Sequence, residues 1–245
     1  MKKQILAVIV GLSVALAGCS TQSTESMLQE VKKDTKEIKS GKSTLVLSKI
    51  YENNNSLDNT VYEMSGDEKF DPLEFVRKGK YKKSYGNFEI EEYFKDGVYY
   101  SKTDGSWLKK KDPTVNDYAL SFKTDSLNMH DGILNLLDNK NNWDVIKDGD
   151  KVTFKLKKTD ELNKKIKEEY VKIFKYRKEL TDIEYTVEYV YNKKTKKVEK
   201  LVYELNSKGK NISDLFTAKG TLEEINKEVK VVLPEESKSA REVRE

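Results

Sequence analysis

Histidine and cysteine, the side chains most often recruited for nucleophilic and metal chemistry, occur once each in this chain, as His130 and Cys19. His130 stands beside Asp131 with no nucleophile motif near it, so neither a histidine-based triad nor a multi-histidine metal site is available. Carboxylates are plentiful: Glu89, Glu91 and Glu92, or Glu184 and Glu188, have the chemistry of an acid–base pair for a glycosidic bond. They sit at strand spacing among lysines, where the simpler reading is a solvated face. Asp148-Gly149-Asp150 lacks the downstream oxygen ligands of a calcium loop and reads as a turn. No Gly-x-Ser-x-Gly, P-loop or dinucleotide fingerprint occurs in the sequence. The inventory points to no enzyme, no cofactor and no metal, and leaves Cys19 as the residue whose chemistry matters.

Cys19 follows Leu16-Ala17-Gly18, which closes an apolar run from Ile5 to Ala17 behind Lys2 and Lys3. As a helix at ~1.5 Å per residue the run reaches roughly 20 Å, short of the ~30 Å hydrocarbon core. It reads as a secretory signal core rather than a membrane span. Leu, Ala, Gly and Cys in this order resemble the lipobox of bacterial lipoproteins. The resemblance implies a signal peptide of residues 1–18, removed on export, and lipidation of Cys19 by a diacylglycerol group with palmitate-type chains. The competing reading is cleavage without lipidation, which leaves a free thiol. At ~0.8 kcal/mol per buried methylene, two acyl chains hold a protein on a membrane where one does not. The implied location is the extracytoplasmic face of the cell membrane, with the membrane itself as a partner.

Composition bounds the remainder. The 245 residues carry 36% charged side chains and a formal net charge of +4. Without the two leader lysines, 44 basic and 42 acidic groups remain, a net +2. No large single-sign field is left to attract nucleic acid. With no second cysteine the chain has no intramolecular disulfide and must rely on a core. Three prolines and no Pro/Gly/Ser linker favour a tether over residues 19–25, a single domain over residues 26–234, and a flexible charged tail over residues 235–245.

Local patterns supply the elements. Ser26-Met27-Leu28-Gln29 has the form of a capping box, with Leu28, Val31, Thr35 and Ile38 at helical spacing until Ser40-Gly41. A β-rich region follows: Leu45 to Tyr51, Val61 to Met64, Phe75 to Tyr81 after Asp71-Pro72, and Phe88, Ile90 and Phe94. Turn signals Asp96-Gly97 and Asp104-Gly105 return the chain into Val98-Tyr99-Tyr100 and Trp107-Leu108. Gly132 to Leu137 predicts a helical turn, ended by Asn139 to Asn142. Trp143 to Ile146 and the alternating Val152, Phe154 and Leu156 predict two more strands. Asp160 is placed to cap a second helix with Leu162, Ile166, Tyr170, Ile173 and Phe174 on one stripe, and basic Lys175, Arg177 and Lys178 in its last turns. Ile183, Tyr185, Val187, Tyr189 and Tyr191 share one strand face. Asn192-Lys193-Lys194 turns the chain into Leu201, Tyr203 and Leu205, then Leu215-Phe216-Thr217 and Val229, Val231 and Leu233 follow.

Strands with one apolar face need that face covered, and each helix has one stripe to offer. The expected fold is therefore α+β: a large, curved antiparallel sheet with amphipathic helices packed on one face. At this point the lipobox, the Gly97-Val98-Tyr99-Tyr100 and Asp104-Gly105-Ser106-Trp107 hairpins, and the Tyr-rich hairpin 183–205 resemble lipoproteins of Gram-positive bacteria related to the LolA/LppX-type half-barrel superfamily. That resemblance implies a concave face receiving a lipid or other hydrophobic ligand, lined by Phe88, Ile90, Ile166, Tyr170, Ile173, Tyr185, Val187 and Tyr189. The same stripes also read as plain core. Two functions follow: a membrane-anchored module binding a hydrophobic ligand, or a surface lipoprotein binding an envelope protein or polymer with no small-molecule cavity. Neither involves nucleic acid.

Overall fold

The computed structural model describes residues 22–53, 56–111, 127, 130–173, 180–209 and 216–243. Helix α1 (Thr24–Lys36) starts one turn earlier than the capping-box spacing predicts. The cap is Ser23, whose hydroxyl accepts the Ser26 N–H at 3.1 Å, so Ser26 is a helical residue and not the initiator. Glu25 in the first turn and Lys33 and Lys36 in the last complement the helix dipole. Met27, Leu28, Val31 and Thr35 form the buried stripe. Asp34 lies on it too, accepting from Lys197 Nζ at 2.6 Å and from the Val198 N–H at 2.7 Å.

Helix α2 (Asp160–Ile173) is capped by Thr159 and not by Asp160: Thr159 Oγ1 accepts the Leu162 N–H at 3.3 Å. Asp160 instead occupies the first helical position, where a carboxylate favours the dipole. Leu162, Ile166 and Tyr170 are buried along its stripe. Ile173 ends the helix, its side chain outside the described residues, as are Phe174, Lys175, Arg177 and Lys178.

The strands are β1 (Ser40–Asn53), β2 (Ser56–Phe70), β3 (Leu73–Lys83), β4 (Gly86–Lys95), β5 (Val98–Thr103), β6 (Ser106–Lys111), β7 (Trp143–Asp148), β8 (Lys151–Leu156), β9 (Leu180–Asn192), β10 (Lys197–Gly209), β11 (Phe216–Glu223) and β12 (Arg241–Glu242). They form one curved, open sheet in the order β12-β6-β5-β4-β3-β2-β1-β11-β10-β9-β8-β7. Every described neighbour pair is antiparallel except β12 with β6. Asp96-Gly97 and Asp104-Gly105 take positive φ at both residues (50° and 75°, 50° and 76°), the mirror-image turn whose twist matches the flanking strands.

The expected architecture is present: a curved antiparallel sheet with the helices on one face. Alternation on β8, β9 and β10 puts Val152, Phe154, Tyr185, Val187, Tyr189, Leu201, Tyr203 and Leu205 on the side of α1 and α2, in one core with Leu45 and Leu47 of β1. The turn expected near Gly132 to Leu137 is a 3-10 helix, Leu134–Asp138, followed by a second at Lys140–Asn142. Its Leu136 carbonyl accepts the Trp143 Nε1–H at 2.9 Å, which ties the segment to the start of β7.

Two expectations for the C-terminal region are corrected. Residues 229–233 form no strand, and residues 235–243 are not a loose tail. Glu235–Ser239 makes a 3-10 helix, β12 pairs with β6, and the Val243 N–H bonds to the Lys109 carbonyl at 2.9 Å. The reason is a second, smaller core on the sheet's other face, where Val231 and Ala240 cover Tyr93 and Trp107. The segment thereby hides the edge of β6 that would otherwise remain open to pairing.

Candidate functional site

Strand register places four cross-strand rows on the helix side of β2–β5. Tyr62, Tyr81 and Phe88 form one row, and Met64, Gly79 and Ile90 the next. Gly66, Arg77, Glu92 and Ser101 form the third, and Glu68, Phe75, Phe94 and Tyr99 the fourth. Aromatic rings thus flank a charged centre. Tyr62 and Tyr81 meet edge to face at 6.3 Å, and Phe75 and Phe94 stack at 5.7 Å. Tyr62, Tyr81, Phe88, Phe94 and Tyr99 are all only partly buried.

Each of the three central strands contributes one buried charge to this face: Glu68 (0% exposed), Arg77 (2%) and Glu92 (4%); Lys83, at the end of β3, lies over the Tyr81 ring at 4.8 Å. Burying ions is costly unless they are paired and hydrogen-bonded. Here Arg77 Nε donates to Glu68 Oε1 at 2.8 Å, and Arg77 Nη2 and Ser43 Oγ donate to the same oxygen. The guanidinium also lies 5.4 Å from the Phe75 ring centre, a cation–π contact. Tyr99 OH donates to Glu92 Oε1 at 2.6 Å. Burial, followed by the Glu92 charge, pushes the Tyr62 and Tyr99 phenols well above the ordinary tyrosine value, so both stay protonated as donors. Gly66 and Gly79 let the strands close over this centre. A Cβ would stand 1.9 Å from the Val76 carbonyl oxygen at Gly66, and 1.8 Å from that of Glu63 at Gly79.

The expected lining residues fall into two groups. Phe88 and Ile90 lie on the β2–β5 strip. Ile166, Tyr170, Tyr185, Val187 and Tyr189 are brought together elsewhere, buried in the core beneath the helices. Tyr170 OH reaches Ser207 Oγ at 3.4 Å, and Tyr185 OH donates to the Lys157 carbonyl at 2.6 Å. Cys19 and the Ile173 side chain lie outside the described residues.

The carboxylates divide as well. Glu89 and Glu91 face lysines across the strands, with Lys80–Glu89 at 3.3 Å and Lys78–Glu91 at 2.9 Å, and Glu188 meets Lys155 at 2.9 Å. Glu92 was expected on that solvated face and is buried instead, because strand parity sends it inward with Ile90 and Phe94. Sequence reasoning passed over Glu68 and Arg77. The available signal was one charge interrupting each alternating apolar set: Tyr62-Met64-Glu68-Phe70, Phe75-Arg77-Tyr81 and Phe88-Ile90-Glu92-Phe94.

His130 is a second buried polar feature, 1% exposed, edge-on to Tyr189 with ring centroids 4.9 Å apart. Neither ring nitrogen has a hydrogen-bond partner among the described residues, and burial lowers its pKa to about 3. Among the described residues no group of three or more His, Cys, Asp and Glu side chains could hold a metal ion, and no helix is long and apolar enough to cross a membrane.

Comparison with known proteins adds the following. No curated protein matches the chain. A solved structure, the crystal structure of LprF from Mycobacterium bovis, aligns over 86% of this chain and 96% of that one, at 13% identity and a TM-score of 0.48. A family model described as a family of unknown function, DUF6612, matches residues 23–242. The chain belongs to the DUF6612 family.

Proposed function

We propose that this protein is a lipid-anchored module of the extracytoplasmic membrane face that holds a hydrophobic or amphipathic ligand on the helix-side face of β2–β5. The observation that carries the reading is the strip itself. The helices pack against β9 and β10, whereas on β2–β5 the rings of Tyr62, Tyr81, Phe88, Phe94 and Tyr99 stay partly exposed around a buried charged centre. Apolar lining with a few fixed polar groups is the usual composition of a small-molecule site. A buried Glu68–Arg77 pair on a sheet face contributes little net stability, so its presence there supports a role in recognition.

The anchor part of the proposal rests on Leu16-Ala17-Gly18-Cys19. Because α1 is capped at Ser23, the tether after Cys19 is Ser20 to Gln22, at most about 10 Å of extended chain. The first turn of α1 then sits close to the bilayer.

Native mass spectrometry of the mature chain beginning at residue 19, carrying Cys19→Ser and purified from bacterial cells, tests the ligand. The expected spectrum shows a lipid-sized adduct that is lost in Phe88→Glu/Ile90→Glu, two changes on the strip. An adduct-free spectrum, with a crosslinked envelope protein captured on intact cells, would establish the surface-interaction reading instead.

A further inference from the structure

The Glu68–Arg77 pair leaves one oxygen to spare. Ser43 Oγ, Arg77 Nε and Arg77 Nη2 all converge on Glu68 Oε1. Oε2 of the same carboxylate is buried with no hydrogen-bond partner among the described residues. A carboxylate oxygen shielded from water without a donor is unfavourable, and donors supplied by the protein crowd the other oxygen. The vacant acceptor belongs to a residue paired in register with Phe75, beside the Phe94 and Tyr99 rings of the same row.

We infer that Glu68 Oε2 is the polar contact for the ligand, and that this ligand carries a hydrogen-bond donor, an amine or a hydroxyl, at the end of an apolar chain. The inference rests on the β2–β5 strip being the ligand surface and adds the chemistry of the ligand's polar end. An anionic headgroup is a poor fit for the centre of the strip. Arg77 directs Nε and Nη2 at Glu68, and the Tyr99 hydroxyl is engaged by Glu92. An incoming carboxylate or phosphate would therefore meet two glutamates whose nearest cationic and phenolic donors are turned toward them. Lys110, opposite Tyr99 on β6, is a cation at the rim of this face and not at its centre. A donor headgroup completes Glu68, while its chain runs along the strip from the Phe94 and Tyr99 row toward Ile90 and Phe88.

Isothermal titration of the mature chain carrying Cys19→Ser with dodecylamine, dodecanol and laurate, each below its micelle concentration, tests this. The amine and the alcohol are expected to bind about tenfold or more tightly than laurate, the scale of a hydrogen bond to a charged group. Glu68→Gln should erase that preference. Since this variant strands Arg77 and can fail to fold, Glu68→Leu/Arg77→Met serves as the second test, because replacing both partners by apolar groups leaves no lone charge. It should bind all three probes by their apolar chains alone. Laurate binding as tightly as the others to the unmodified strip, or a preference that survives in the double variant, overturns the donor inference and leaves the ligand surface standing. Failure of all three probes to bind removes the ligand surface itself.

Discussion

Acidification should destabilise this protein through His130, and the size of the effect follows from where the ring lies. The imidazole is buried against Tyr189 and Tyr203, at centroid distances of 4.9 and 6.4 Å, with neither nitrogen partnered among the described residues. Burial alone pushes its pKa from 6.5 to about 3. Between those values the unfolded chain binds one more proton than the folded chain, so stability rises with pH across the window and is lost as pH falls below 6.5. At ~1.36 kcal/mol per unit, lowering the pH from about 7.5 to about 5 costs roughly 2 kcal/mol. The neighbouring Asp131, raised by burial and opposed by Lys36, contributes in the opposite sense. It is retained in His130→Leu, so it cancels when the two proteins are compared. Urea unfolding at both pH values is the assay. The wild type should lose about 2 kcal/mol more than His130→Leu over that interval. Equal losses in the two proteins would refute the claim that a neutral, buried His130 supports the fold.

Other predictions concern the strip and the C-terminal segment. Gly79→Ala should cost ~3 kcal/mol or more in chemical unfolding, as a Cβ 1.8 Å from the Glu63 oxygen forces β2 and β3 apart. Gly86→Ala, whose Cβ comes no closer than 3.4 Å to Phe88, should be tolerated, and equal costs at the two sites would argue against close strand approach. Arg77→Met alone should lose ~3–5 kcal/mol by leaving Glu68 buried and unpaired, while Glu68→Leu/Arg77→Met recovers most of it. No recovery in the double variant would show that the pair is not coupled as the geometry requires. Truncation after Pro234 removes Ala240 from Trp107 and should red-shift tryptophan emission, a shift absent in a Trp107→Phe background; an unchanged spectrum would mean the segment does not cover that ring.

Much of the fold was legible because period-2 alternation is local. Val152, Phe154 and Leu156, and Tyr185, Val187 and Tyr189, turn inward as their spacing predicts. The Asp-Gly turns likewise needed only two residues each to be read. What escaped is information carried by distant partners. Arg241 and Glu242 look like part of a charged tail until β6, more than a hundred residues earlier, supplies Leu108 and Lys109 to pair with. The helix starts were misplaced because Ser23 and Ser26, or Thr159 and Asp160, offer equivalent acceptors, and only the backbone path selects one. The site was half legible for the same reason. Phe88 and Ile90 on one side, and Tyr185 and Val187 on the other, carry the same local pattern, and only helix placement separates strip from core. Glu68, Arg77 and Glu92 each betray themselves within their own strands as charges on an apolar face, but their meeting depends on the register of three strands.

The central claim is that ligand lies on β2–β5, and photo-crosslinking with a diazirine-bearing dodecanol reads its location directly. After irradiation of the chain from residue 19 onward carrying Cys19→Ser and peptide mass spectrometry, label is predicted on peptides carrying Tyr62, Tyr81, Phe88 and Phe94. Label confined to Ile166, Tyr170, Tyr185, Val187 and Tyr189 beneath the helices, or saturable by no competitor, would contradict it.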